Sequence, residues 1–275
     1  MNRLNEIQLY LLKHFQMVCE TLGLEYFAIG GTAIGAIRHK GFIPWDDDLD
    51  VSMSREDFNI FSKEAQKLLP HDIFFQTHET DKNYLQPFAK LRHNESTFIE
   101  KGCERGEFHQ GVYIDIFPYD YVPERNFTNV IYYAKSLLYQ ARIRAHYTES
   151  VEHMGKRAKI IFEIARPILK CLLPDVNATF NKSIGLCKSI PKSSRINLRG
   201  ALWYWGRKGL PIDWFQETTL FPFENMYIKL PKGYHQYLSH VFGDYMTPPP
   251  EEARIAKHNI DILDTEHPYT YYIEN

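Results

Sequence analysis

Four aspartates fall within five residues in the run Asp46-Asp47-Asp48-Leu49-Asp50. Carboxylates crowded this closely repel one another unless a positive charge sits among them, and hard oxygen ligands of this kind suit Mg²⁺ or Mn²⁺. The plainer reading of a charge run is a solvated loop. This run, however, is set among Phe42, Ile43, Pro44, Trp45, Leu49, Val51 and Met53, which predicts partial burial and favours a divalent cation. Another carboxylate, Asp115, lies in the alternating stretch Val112 to Phe117, where Val112, Ile114 and Ile116 take one face and Asp115 the other. Upstream, Gly30-Gly31-Thr32 closes a short apolar run, and glycines at a helix start let backbone N–H groups approach an anion. The triplet is neither GxGxxG nor a Walker A loop, and alone it reads as turn chemistry. Its weight comes from order: strand and glycine turn, then an Asp-x-Asp strand, then an isolated strand carboxylate.

These groups need a frame, and the apolar periodicity supplies one. Leu4, Ile7, Leu11, Phe15, Val18 and Leu22 predict an opening amphipathic helix ended by Gly23. Leu24 to Ile29 reads as a strand and Ala33 to Arg38 as a brief helix, followed by the turn-rich segment Lys40 to Pro44. Leu49, Val51 and Met53 alternate with Asp48, Asp50 and Ser52, which is strand periodicity. Extended backward, that strand would put Asp46, Asp48 and Asp50 on one face and turn Asp47 the other way. Ser54 and Asp57 form a capping-box pattern opening a helix to about Leu69, and strands follow at Ile73 to Gln76 and Phe88 to Arg92. Beyond Pro123 the spacing predicts helices over about 127–147 and 156–173, then a part rich in aromatics, Pro and Gly. The result is an α/β or α+β chain with a soft division into 1–123 and 124–275, compatible with one domain.

Composition narrows the partners. Of 275 residues, 32 are basic and 34 acidic, so the chain lacks the positive field that nucleic-acid binding calls for. Cys19, Cys103, Cys171 and Cys187 lie far apart, without zinc-ligand spacing, and read as thiols of a reducing compartment. No apolar run is long enough for a transmembrane segment, which predicts a cytoplasmic protein for which peripheral contact with the inner membrane face stays compatible. The twelve histidines contain no HExxH pair and there is no Gly-x-Ser-x-Gly elbow, so zinc and serine hydrolase chemistry lack support.

The stretch AIGGTAIGAIRHKGFIPWDDDLDVSM, beginning at Ala28, resembles the signature of the LicD family, phosphotransferases with a nucleotidyltransferase-like fold. GVYIDIFPYD resembles its second block, and LFPFENMYIKLPKGYHQYLSHVFGDYMTPPPEEAR its carboxy-terminal block. The resemblance implies a mixed sheet flanked by helices in 1–123 as the catalytic core, with the helical, aromatic-rich 124–275 completing the site. It assigns catalytic carboxylates to Asp48, Asp50 and Asp115, with Asp46 joining them as metal ligands for Mg²⁺ or Mn²⁺. Asp115 would serve as third ligand or as general base. It also makes Gly30, Gly31 and Thr32 a phosphate turn. Arg38 lies in the loop before the acidic run, and Lys90 and Arg92 share a strand face; in that order they are candidates for holding the donor phosphates. Glu224 and Asp244 resemble family positions without a role that the sequence supplies.

The implied reaction is transfer of phosphocholine from CDP-choline to a hydroxyl of lipopolysaccharide, teichoic acid or capsule, on a free or lipid-linked glycan, releasing CMP. A quaternary ammonium is held by aromatic faces, which makes Trp45, Trp203, Trp205 and Trp214 candidates for choline or acceptor contact. The plainer use of these aromatics is a second core. Three alternatives remain on the sequence: ribitol phosphate or glycerol phosphate as the transferred group, nucleotidyl transfer from a nucleoside triphosphate, and a binding or scaffold protein that retains the fold.

Overall fold

A computed structural model describes residues 2–101, 103, 107–146, 156–172, 175–198, 209–256 and 258–273. Helix α1 (Arg3–Leu22) starts where the Asn2 side chain accepts the Asn5 N–H and stops at Gly23 in the left-handed conformation. Its predicted stripe is the buried one, with Leu11, Phe15 and Val18 inaccessible. Strand β1 (Tyr26–Ala28) leads directly into α2 (Gly30–Arg38), so the glycine pair forms the first turn of the helix itself. Strand β2 (Asp50–Ser54) follows, and the Ser54 hydroxyl caps α3 (Arg55–Leu68) by accepting the Asp57 N–H at 2.9 Å.

Strands β3 (Ile73–Gln76), β4 (Ala89–His93), β5 (Thr97–Glu100) and β6 (Tyr113–Tyr121) come next. The central sheet runs β1-β2-β6-β4-β3, with β2 and β6 parallel and the other pairs on this path antiparallel. Helices α4 (Asn126–His146), α5 (Lys156–Leu172) and α6 (Val176–Lys188) then form a helical layer. Strand β7 (Arg195–Asn197) returns to pair with Asp120 and Tyr121 at the end of β6, and β8 (Leu210–Pro211) pairs with β7. The hairpin of β9 (Thr218–Phe223) and β10 (Met226–Pro231) precedes α7 (Tyr234–Phe242). Finally β11 (Ile260–Asp264) pairs with β5, and α8 (Thr270–Ile273) closes the described chain. The architecture is the expected mixed α+β one.

Residues from both sides of position 123 share one buried cluster. Phe215, Phe223 and Tyr237 pack into the same core as Phe15 and Ile114, so these later aromatics do serve as core. Arg55 at the start of α3 forks onto Asp120 of β6 with two hydrogen bonds of 2.8 and 2.6 Å, a buried bidentate pair between helix and sheet.

The acidic run differs from its sequence reading. The strand begins only at Asp50; a turn at residues 44–45 precedes it, and 46–49 are loop. Strict alternation would drive every second carboxylate into an apolar layer, whereas a loop lets consecutive aspartates look into one space.

Candidate active site

Asp50 opens β2 and is the register partner of Asp115 on β6. On the other side of Asp115 stands Lys90 of β4, and opposite Lys90 stands Gln76 of β3. Directly paired residues share a sheet face, so Gln76, Lys90, Asp115 and Asp50 form one polar row across four strands. All four are buried. Lys90 Nζ lies 2.6 Å from Asp115 Oδ1. Burial pushes the Asp115 carboxyl up and the Lys90 ammonium down, and their mutual attraction opposes both shifts. Asp48 adds to the rise at Asp115 and His258 counters it, so both act on the row.

The turn before β2 is held from several sides. Thr32 Oγ1 accepts the Asp50 N–H at 2.8 Å, and Gln8 of α1 donates to the Asp47 carbonyl at 2.9 Å. Gly30, at φ 58°, occupies the left-handed region that favours glycine, and its N–H donates to the Tyr237 hydroxyl of α7 at 3.1 Å. Gly31 lies under the Asp46 carboxylate, and a Cβ there would occupy the space that this carboxylate fills. Carboxylate oxygens of Asp46, Asp47 and Asp48 gather within 4.8 Å of one another. Asp47 is therefore not turned away, contrary to the alternation read from sequence, because residues 46–49 are loop and not strand.

Asp47 also meets a residue that the sequence did not single out. His258 Nδ1 lies 2.9 Å from Asp47 Oδ1, while the other buried oxygen, Oδ2, has no hydrogen-bond partner. Burial alone would lower the His258 pKa. The hydrogen bond to Asp47 and the charges of Glu100, Asp48 and Asp47 outweigh it and raise the value to about 9. His258 is thus cationic at neutral pH and donates to Asp47. Asp46, Asp47 and Asp48 offer gathered carboxylate oxygens, Asp50 and Asp115 add two more carboxylates in the row, and one buried oxygen of Asp47 is unsatisfied. That chemistry fits a hard divalent cation.

Beside the turn sits a cationic pair. The guanidinium carbons of Arg38 and Arg254 lie 5.8 and 5.2 Å from the centroid of the Trp45 ring. Burial and then the neighbouring Arg254 lower the Arg38 pKa, with Asp46 partly offsetting them. Arg38 is held in place by donating to the Tyr245 carbonyl and to His39 Nε2, both at 2.9 Å, and Arg254 by donating to the Pro249 carbonyl at 2.9 Å. Two guanidiniums fixed near each other form a site where an anion is stabilised.

The remaining candidates fall into different roles. Arg92 is buried and donates to Gln76 Oε1 at 2.8 Å and to the Gly111 carbonyl at 2.7 Å. Tyr113 carries Lys90 Nζ at 3.2 Å and the Arg92 guanidinium at 4.6 Å from its ring centroid. The ring of Trp45 is approached by two arginines. Trp214 packs on Gly233 and faces His240, with ring centroids 5.7 Å apart. Trp203 and Trp205 lie outside the described residues. Glu224 acquires a role: at φ 52° in the β9–β10 turn, it accepts the Phe42 N–H at 3.0 Å and its own N–H donates to the Lys40 carbonyl at 2.7 Å. It thereby fastens the loop that leads to the acidic turn. Asp244 caps a turn by accepting the Thr247 N–H at 3.2 Å. Arg254 could have been picked out, since it ends the PPPEEAR stretch, whereas His258 carried no sequence signal.

Residues 23–154 match the family described as LicD/FKTN/FKRP, nucleotidyltransferase domain. The chain is 30% identical over 264 residues to the lipopolysaccharide cholinephosphotransferase LicD of Haemophilus influenzae, an alignment spanning 91% of this chain and 92% of that protein. Shorter similarities join it to uncharacterized proteins of Rickettsia typhi, 38% identical over 22% of this chain and 18% of that one, and of Rickettsia prowazekii, 40% identical over 17% and 18%. The carboxylates fall inside the matched family domain, and Arg254 and His258 beyond it.

Proposed function

Because this chain belongs to the LicD family of phosphotransferases, we propose that it transfers phosphocholine from CDP-choline to a hydroxyl of a surface glycan, releasing CMP. The observation that carries the reading is the union of the Asp50–Asp115 register pair with the acidic turn and the Arg38–Arg254 pair. The choice of choline and lipopolysaccharide follows the Haemophilus relative, whose name gives both.

In this reading Arg38 and Arg254 hold the donor diphosphate, with the Trp45 ring beside both guanidiniums. Asp46, Asp48, Asp50 and Asp115 would hold Mg²⁺ or Mn²⁺, which supplies neutralisation of the diphosphate charge. Lys90 fixes the Asp115 carboxylate and favours its ionised form against burial. His258 sets a positive charge against Asp47, which limits repulsion among the aspartates before β2. The acceptor oxygen forms a bond to the choline-bearing phosphorus as the bridging P–O bond to CMP breaks, and the hydroxyl proton passes to a carboxylate of the row. No described helix is long and apolar enough to cross a membrane. The cytoplasmic side as the place of the reaction is part of the proposal.

The test is incubation of the purified protein with CDP-choline, Mg²⁺ or Mn²⁺ and a panel of glycans, following CMP release and phosphocholine incorporation. Metal-dependent transfer is expected, and its loss in Asp48→Asn and Asp115→Asn. Turnover with CDP-ribitol or CDP-glycerol alone would replace the donor, and pyrophosphate release from a nucleoside triphosphate would replace the reaction.

A further inference from the structure

Helix α5 presents an apolar face to solvent. Ile160, Ile161, Ile164, Ile168 and Leu172 recur at helical spacing, and each is more than half exposed. The side that meets the rest of the molecule, through Phe162, Ala165 and Leu169, is only partly buried. Arg166 Nε ties the helix to the end of α4 by donating to the Ala145 carbonyl at 2.9 Å. Helix α4 also leaves an exposed apolar stripe, from Phe127 through Ile131 to Leu138. Scattered exposed apolar residues are ordinary, but a continuous helical stripe marks a surface meant to be covered.

Charge identifies what covers it. The sequence of α5 holds five basic residues against Glu163 alone, and that of α4 holds three basic residues and no acidic one. In a chain of net charge −2 this is a strong local excess, since the rest of the molecule must be correspondingly acidic. An apolar stripe on a Lys- and Arg-rich helix too polar to span a bilayer is the pattern of a helix lying in a membrane interface. A second copy of the chain fits poorly, because an isologous contact through this face would bring basic helices together. We propose that α5 docks the enzyme on an anionic lipid surface, its isoleucine stripe entering the headgroup region and the basic excess of its sequence drawing it to lipid phosphates. Such attraction weakens as salt screens it.

The experiment sediments full-length protein with vesicles of phosphatidylcholine alone and with vesicles that also contain phosphatidylglycerol. No substrate is present, so the result is independent of the transfer reaction. The wild type is expected to bind the anionic vesicles preferentially and less well in high salt. Ile164→Glu with Ile168→Glu should weaken binding at least about tenfold, with circular dichroism and melting unchanged because both sites are exposed. Lys170→Glu, a milder change that leaves the stripe intact, should weaken binding to a smaller degree and in a salt-sensitive way. The proposal is overturned if the wild type stays in solution with anionic vesicles, binds both vesicle types equally, or is matched by the double variant. It is equally overturned if light scattering finds a dimer that the double variant dissolves.

Discussion

Replacing Gly31 by alanine tests how closely the fold and the acidic turn are joined. Gly31 is an ordinary helical residue of α2, and glycine to alanine inside a helix normally stabilises by up to about 1 kcal/mol, or roughly 2 °C in melting temperature for a chain of this size. Here the new methyl group would meet the Asp46 carboxylate, whose Cγ would be 3.3 Å from it and whose Oδ2 is closer still. Restoring van der Waals separation moves that carboxylate by about 1 Å. The carboxylate is the free end of a side chain, so the fold can yield at little cost. A displacement of about 1 Å in a reacting constellation can lower turnover about a hundredfold. Gly31→Ala is therefore expected to melt no lower than the wild type while losing about two orders of magnitude in kcat, read from CMP release. Gly35→Ala is the control: its Cβ would meet the backbone carbonyl of Gly41, which cannot swing aside, so it should melt lower. Wild-type turnover in Gly31→Ala, or a melting loss equal to that of Gly35→Ala, would refute the role given to Asp46.

Three further outcomes follow from the same contacts. Lys90→Met leaves the Asp115 carboxylate buried without its cation and should cost about 3–5 kcal/mol in chemical denaturation. Adding Asp115→Asn should recover most of that stability and none of the activity. Glu224→Ala removes the acceptor of the Phe42 N–H and should cost about 1–2 kcal/mol with a loss of turnover, while Glu224→Gln, which keeps an acceptor, should lose less of both. His258 has a folded pKa of about 9, above its unfolded value, so its contribution is complete below about pH 6.5 and disappears as pH rises through 9. Metal-free protein should lose roughly 3 kcal/mol across that window, and His258→Gln should flatten the loss.

Local signals made a good part of the molecule legible. The α1 stripe, the Ser54 cap of α3 and the alternation around Asp115 correspond to elements that form where the pattern put them. The acidic run departs from the alternation that surrounds it, because alternation of polar and apolar residues does not distinguish a strand from a loop entering one. Pairings distant in sequence leave no local trace: β5 joins β11 across more than 150 residues, and β7 returns to the end of β6. The β9–β10 turn is built on Glu224 at positive φ, where a glycine would have announced it. At the site, the same limit explains His258 and Arg254, which reach Asp47 and Trp45 only through the folded chain.

That long reach bears on when the protein becomes active during its synthesis. A nascent chain extended through α4 already carries every carboxylate of the row and turn. It still lacks Tyr237 for the Gly30 amide, Glu224 for the Phe42 loop, Arg254 for the Trp45 ring and His258 for Asp47. Closing loops of some two hundred residues is a late and slow event in folding. A ribosome-bound or prematurely terminated product would hold an acidic turn whose charges repel one another and whose anion site has one arginine. On the proposed reading, competence to handle the donor would arrive only once the chain has been made through His258, so products that stop before it would not consume the donor.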